Sequence, residues 1–314
     1  MRILDLMGLS DAAVEELTAI GTQIVYRSDL KNDNLAGITA IFGWQRNLAP
    51  ALATAKDLRF IQSYSAGVDY FPLDVLRAKH IMLANTSGIH AIPIAESTVG
   101  YILAFARGIF VSSKKTPANF WDQQGVRSNM FTLTNKTAVI FGTGHIGQKI
   151  AEALAAFGVT VLGISHHGRP VAPFAEVGTD QQSAEFAHRA DFIINIMPLT
   201  PATKGFFNQS FFAPLTRQPF FINVGRGPSV VTADLVAALK NGKLRGAALD
   251  VYEQEPLPAN SPLWDLPNVL MTPHVSGNFA EMNDAASEIF TNNVQQFLQD
   301  ETLAQNEVDL SQGY

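Results

Sequence analysis

No cysteine occurs in the chain, which excludes disulfides, thiolate catalysis and cysteine-ligated zinc or iron–sulfur centres. Charge is sparse as well: 16% of the residues are Asp, Glu, Lys or Arg, and 22 basic residues face 28 acidic ones, for a net charge of −6. That balance presents no positive field to a phosphodiester backbone, so nucleic acid is not an expected partner. Long hydrophobic runs are missing. The nearest approach to a membrane span, residues 100–111, is too short and contains Arg107. The opening MRILDLMGLSDAAVEE brings an acid too early for a secretory signal and continues in globular patterning. A cytoplasmic protein with no membrane partner is expected. No HExxH, EF-hand or other clustered ligand spacing occurs, and no metal is expected.

What is present is apolar. At 314 residues with 47% hydrophobic side chains, two domains with large cores are expected, and the 23 glycines and 16 prolines are spread along the chain, against disorder. Short apolar runs at 2–6, 22–27, 39–43, 59–65 and 81–85 read as strands, separated by segments that include helical patterns at 12–20 and 72–79. This alternation predicts a parallel sheet covered by helices. A long helix begins near Ile92, with Ile94, Val99, Ile102, Leu103 and Phe105 on its apolar side, and reads as a connector between domains. A second series follows, with strands at 137, 159, 192–197, 220–224, 247–251 and 269–271, which suits a six-stranded doubly wound sheet. Thr232 is placed to cap the helix TADLVAALK and Gly242 to end it. A last helix at 283–299 has Ile289, Val294 and Phe297 to bury, and is expected to return to the first domain.

The most informative segment is TAVIFGTGHIG, residues 137–147, where a strand runs into GxGxxG and then into a helical pattern. Gly142 permits a tight turn out of the strand, Gly144 lets a pyrophosphate approach the main chain, and Gly147 lets helix and strand pack closely. The helix start adds unpaired N–H groups and a partial positive charge, within reach of which His145 and Ile146 offer their backbone. Ile146, Ile150, Leu154 and Phe157 recur at helical spacing, Gly158 stops the helix, and residues 159–165 form the next strand. The unit predicts a dinucleotide site.

Doubly wound sheets bind ligands at the carboxyl ends of their strands. Three ionisable residues fall there: Arg226 in NVGRGP, Glu255 in LDVYEQEP and His274 in TPHVSG. Together with GTGHIG, these segments resemble the D-isomer-specific 2-hydroxyacid dehydrogenases. The resemblance runs from SAGVDYF at 65–71 through NTSGIHAIPIAES at 85–97, MPLTPAT at 197–203 and the segments above to the closing NEVDLSQGY. It implies two doubly wound α/β domains with the active site in the cleft between them: a flavodoxin-like substrate-binding domain of residues 1–98 plus 286–314, and a Rossmann dinucleotide-binding domain of residues 99–285.

The same resemblance implies roles. Arg226 binds the carboxylate of a small 2-keto acid and polarises its keto oxygen, a task for a planar fork of donors. His274 protonates the carbonyl oxygen as hydride arrives and takes the proton back from the D-2-hydroxy acid in reverse; imidazole suits this, with an ordinary pKa of about 6.5. Glu255 bonds the other ring nitrogen. Met197, Pro198, Thr203, Val224 and Gly225 line the cofactor. Asp250 contacts its nicotinamide side, with turn capping as the competing role, and the backbone N–H groups of Gly67 and Val68 bind the substrate carboxylate, with a plain glycine turn as the alternative. A homodimer is also implied. Trp44, Tyr64, Tyr70 and Ile89 lie in segments able to line a substrate pocket.

An NAD site usually closes its second strand with an acid that binds the adenosine ribose hydroxyls. Here the strand ends at Ser165 and SHHGR follows without one. Ser165, His166 and Arg169 are suited to an added phosphate, so NADP(H) is the expected cofactor and NAD(H) the alternative. Two other readings compete: an NAD-dependent phosphoglycerate dehydrogenase, though many of these carry an added regulatory domain that is not expected here, and a dehydrogenase-like protein that senses dinucleotide. The intact trio of Arg226, Glu255 and His274 favours an enzyme.

Overall fold

The computed structural model describes residues 1–311; the last three residues of the closing NEVDLSQGY segment, 312–314, lie outside the described residues. Two compact units form: Met1–His90 with the chain from Phe279 onward, and Ala91–Asn278. The division thus falls just before the long helix that begins near Ile92, not within it, and that helix belongs wholly to the second unit.

In the first unit, β1 (Arg2–Asp5), α1 (Asp11–Ala19), β2 (Gln23–Tyr26), β3 (Ala40–Phe42), β4 (Phe60–Gln62), α2 (Leu73–Ala78) and β5 (Met82–Ala84) follow in turn. The five strands form one parallel sheet in the order β2-β1-β3-β4-β5, the flavodoxin-like order. Both faces are covered, so β3 and β5 are apolar throughout, while β1, β2 and β4 keep polar residues only at their ends. Ile3, Ala40, Phe42 and Phe60 point to the side of Ala13 and Leu17 on α1, and Leu4, Ile41, Ile61 and Leu83 to the other. Each strand is shorter than its apolar run. β1 ends at Asp5, whose carboxylate accepts the N–H groups of Met7, Gly8 and Leu9 at 2.8–3.0 Å and turns the chain out of the sheet.

The second unit contains α3 (Ala91–Ala106), α4 (Ile109–Ser113), α5 (Gln123–Arg127), β6 (Thr137–Phe141), α6 (His145–Ala156), β7 (Thr160–Ile164), β8 (Glu176–Gly178), α7 (Ser183–Arg189), β9 (Phe192–Asn195), α8 (Gln209–Phe212), β10 (Phe220–Asn223), α9 (Thr232–Lys240), β11 (Gly246–Leu249) and β12 (Val269–Met271). All seven strands are parallel, in the order β12-β11-β10-β9-β6-β7-β8. The expected count of six omitted β8, a three-residue edge strand whose sequence, EVG, carries neither alternation nor an apolar run. Along β6, Ala138 and Ile140 face the helices α3 and α6, while Val139 and Phe141 face the opposite core. The four phenylalanines at 206, 207, 211 and 212 pack in or against that second core.

Local corrections follow from chain geometry. Thr232 is the first helical residue of α9 and does not cap it; Val231 holds the cap position, and Glu253 accepts the Thr232 N–H at 2.9 Å. Phe157 is 43% exposed, because α6 stops at Ala156 and Gly158 turns left-handed at φ 74°. Val159 N–H then bonds the Leu154 carbonyl and Gly158 N–H the Ala155 carbonyl, a Schellman closure that leaves Phe157 beyond the last packed turn. The final helix, α10 (Met282–Asp300), packs in the first unit and buries Ala286, Phe290, Val294 and Phe297 on the side of its sheet that α1 covers.

Candidate active site

The sheet of the second unit reverses its strand order between β6 and β9, which is where a doubly wound sheet opens a crevice at its carboxyl edge. The glycine turn lies there. Gly142 sits at φ 113°, and a Cβ on Gly147 would come within 2.1 Å of the Gly142 carbonyl oxygen. These two glycines are therefore required by the protein's own packing. Gly144 differs: a Cβ there would meet nothing within 4 Å. Space in front of its backbone is open, and α6 begins at His145, so the first-turn N–H groups of His145 and Ile146 face outward without intrahelical acceptors. The turn fits the pyrophosphate of a dinucleotide.

At the end of β7, the Ser165 N–H donates to the Gly178 carbonyl at 3.0 Å, extending the pairing with β8. His166 and Arg169 are exposed. The structure also supplies an acid that reading β7 alone missed: Asp180, just past β8, lies 2.9 Å from His166 Nδ1.

Arg226 follows β10 and is held by a buried polar network. Asn195 and Asn223 occupy the last, register-matched positions of β9 and β10 and are at most 1% exposed. Asn195 Nδ2 donates to Asn223 Oδ1 and to Ser229 Oγ, while the N–H groups of Met197 and Gly225 donate to the two Asn carbonyl oxygens. The Arg226 carbonyl accepts from Asn223 Nδ2 at 3.2 Å and Ser229 Oγ at 2.6 Å. Its guanidinium donates to the Gly225 carbonyl. A Cβ on Gly227 would fall 1.7 Å from the Tyr252 carbonyl oxygen, so only glycine lets the two loops pass. The signal for the network was the repeated ending of FIIN and FFIN. Replacing Asn223 with alanine orphans the Gly225 N–H and weakens the hold on Arg226; about 1–3 kcal/mol of stability is expected to be lost, seen as a lower denaturant midpoint together with reduced turnover.

Met197 and Val224 are buried beside this network. Thr203 closes the turn after Met197 by donating to the Pro198 carbonyl at 2.7 Å and accepting the Thr200 N–H at 2.8 Å.

His274 Nδ1 lies 2.8 Å from Glu255 Oε2, with the imidazole 53% and the carboxylate side chain 36% exposed. The other oxygen, Oε1, accepts the Tyr252 N–H at 2.9 Å. Glu255 is thus aimed by the backbone, and with Nδ1 turned to the carboxylate, Nε2 is the nitrogen left for a substrate. His274 itself stands at φ 56°, a left-handed conformation that costs a non-glycine residue and needs local support. Asp250 provides it. Only 1% exposed, its carboxylate accepts from Thr272 Oγ1 at 2.6 Å and from the N–H groups of Val275 and Ser276 at 2.9 Å, and its carbonyl accepts the His274 N–H at 2.8 Å. Tyr101 on α3 hydrogen-bonds Thr272 Oγ1 at 2.8 Å. Tyr252 OH donates to the Leu249 and Thr272 carbonyls; burial first, then the Asp250 charge, push its phenol far up, so it stays a donor. Tyr252 and Thr272 lie within LDVYEQEP and TPHVSG, and Tyr101 on the long helix, but sequence reading gave none of the three a role.

In the first unit, Gly67 lies in a loop after β4, where its carbonyl accepts from Ser65 Oγ, and Val68 is buried in the core. Tyr70 OH joins Ser63 and Ser65 in a hydroxyl cluster. Trp44 is buried against Phe71, Tyr64 hydrogen-bonds Asn283, and Ile89 is half-buried. Among the described residues, no group of three or more His, Asp or Glu is placed to hold a metal, and no helix is long and apolar enough to cross a membrane.

Comparison with known proteins bears on the family and the fold. Residues 99–276 match the family described as D-isomer specific 2-hydroxyacid dehydrogenase, NAD binding domain. Glyoxylate/hydroxypyruvate reductase B of Klebsiella pneumoniae is 33% identical over 72% of this chain and 71% of its own. D-3-phosphoglycerate dehydrogenase of Methanocaldococcus jannaschii is 34% identical over 82% of this chain, though over only 48% of its own length. Among solved structures, the NADPH-dependent glyoxylate/hydroxypyruvate reductase of Sinorhizobium meliloti in complex with NADP and sulfate superposes with a TM-score of 0.81 at 28% identity, covering 100% of this chain and 99% of that one. With its two parallel-sheet α/β units and a matched segment longer than half its length, the chain belongs to the D-isomer-specific 2-hydroxyacid dehydrogenase family, whose members are oxidoreductases.

Proposed function

We propose that the protein is an NADPH-dependent reductase that converts small 2-keto acids to D-2-hydroxy acids. The observation that carries the reaction is the contact of His274 Nδ1 with Glu255 Oε2 at 2.8 Å, on a loop anchored by Asp250 at the same sheet edge as the glycine turn. When bound, the reduced nicotinamide supplies the hydride that the keto carbon accepts. Arg226 binds the substrate carboxylate through its guanidinium fork and draws charge from the keto oxygen. His274 gives the proton on Nε2 to that oxygen as the carbon–oxygen π bond breaks, and Glu255 keeps Nδ1–H in place so the ring neither turns nor changes tautomer. In the reverse direction, neutral Nε2 takes the hydroxyl proton. The Gly67 and Val68 backbone N–H groups are further candidates for the substrate carboxylate.

The cofactor reading rests on Ser165 at the carboxyl end of β7, where an acid would repel a 2′-phosphate, and it is supported by the NADPH-dependent relative solved with NADP. Ser165→Asp is expected to shift the ratio of kcat/KM toward NADH by tenfold or so, the scale of one charged contact; an unchanged ratio would remove Ser165 from cofactor selection. The activity is tested by following oxidation of NADPH and of NADH with glyoxylate, hydroxypyruvate, 3-phosphohydroxypyruvate, pyruvate and bulkier 2-keto acids. Turnover with one of them is expected. Dinucleotide binding without turnover on any would favour a sensing protein, and turnover confined to 3-phosphohydroxypyruvate with NADH would favour the phosphoglycerate dehydrogenase reading.

A further inference from the structure

β7 and β8 pair in register, Ile164 opposite Gly178, so the residues two places further on, His166 and Asp180, emerge side by side. Their side chains meet, Nδ1 to Oδ2 at 2.9 Å, with His166 80% and Asp180 43% exposed. Asp180 opens a short 3₁₀ turn, and Ser183 Oγ bonds its carbonyl at 2.6 Å. The pair is therefore rigidly based but outward-facing. It stands one residue past Ser165, the position that carries the acid in an NAD site, and its carboxylate comes from the next strand with an imidazole interposed. His167 lies edge-on to His166 with ring centroids 4.8 Å apart, and Arg169 is exposed in the same loop.

Resting on the proposed NADP(H) reading, we propose that Asp180 is a specificity-determining residue: it holds His166 by Nδ1 so that Nε2 meets the adenosine 2′-phosphate, and His166 in turn shields that phosphate from the Asp180 charge. A ring whose Nδ1–H is taken by a carboxylate has its orientation set. A protonated imidazole between two anions attracts both, whereas the same carboxylate with no ring in front of it repels the phosphate. Asp180 therefore acts with opposite signs depending on whether His166 is present. NADH, lacking the phosphate, is indifferent to the pair.

The test is a double-mutant cycle on the full chain, with dissociation constants for NADPH and NADH read by fluorescence titration. His166→Ala is expected to weaken NADPH binding about tenfold, the scale of a charged hydrogen bond. Asp180→Asn alone is expected to weaken it two- to fivefold, because the ring is released. Added to His166→Ala, the same Asp180→Asn substitution is expected to strengthen NADPH binding by up to about fivefold, because a bare carboxylate is removed. NADH affinity stays within twofold throughout. The side chains are exposed, so unchanged thermal midpoints serve as the folding control. Equal affinity of the unsubstituted protein for NADPH and NADH would overturn the cofactor reading and this subsite with it. A clear NADPH preference that survives His166→Ala, or an Asp180→Asn effect of one sign in both backgrounds, would overturn the subsite alone.

Discussion

Replacing His274 with alanine is expected to lower kcat by a hundredfold or more while leaving NADPH affinity within about twofold, the usual scale for losing a general acid. The loss falls on kcat because the proton is transferred in the transition state; ground-state binding does not depend on it. Position 274 also has a left-handed backbone, φ 56°, so alanine adds local strain that mimics a catalytic defect. Asparagine tolerates that conformation better. His274→Asn should therefore keep the loop and the protein's thermal midpoint, yet show the same fall in kcat. Steady-state rates on both variants, with cofactor titration as the control, check the role, and near-normal turnover in the asparagine variant would remove His274 from it.

Arg226→Ala is expected to raise KM for the 2-keto acid and lower kcat together. Two charged hydrogen bonds of about 1.5–3 kcal/mol each make kcat/KM fall by about 10²–10⁴. The loop itself should persist, since Asn223 Nδ2 and Ser229 Oγ hold the Arg226 carbonyl and not the side chain. Arg226→Lys keeps the charge but not the planar fork, so only part of the activity should return. A KM effect without a kcat effect would confine Arg226 to anchoring the carboxylate and deny it a part in polarising the keto oxygen.

The glycine turn and the alternation of strands and helices were legible in the chain because each rests on local chemistry, whereas Arg226, Glu255 and His274 were singled out by their place after strand ends and by the family resemblance. A glycine at φ 113° or one packed 2.1 Å from a carbonyl in place of a Cβ admits no other residue, and apolar runs at strand length persist wherever both faces of a sheet are covered. Strand β8 was not legible. Its three residues at the sheet edge carry no periodicity, and what makes them a strand is pairing with β7. The Thr232 cap failed for a related reason: the Thr232 N–H is satisfied by Glu253, 21 residues away, and a local capping rule has no access to that.

By itself, the sequence determined the two βα series, the dinucleotide turn and the ionisable residues at strand ends, since backbone conformation and side-chain periodicity are properties of neighbouring residues. Only the tertiary structure decided how those residues are held. It ties Asp250 to the loop that carries His274, joins Asn195 to Asn223 across adjoining strands beneath Arg226, and places Asp180 against His166. Each of these bonds links segments 14 to 28 residues apart, and hydrogen bonds between buried or register-matched groups exist only once the sheet has brought its strand ends to one edge.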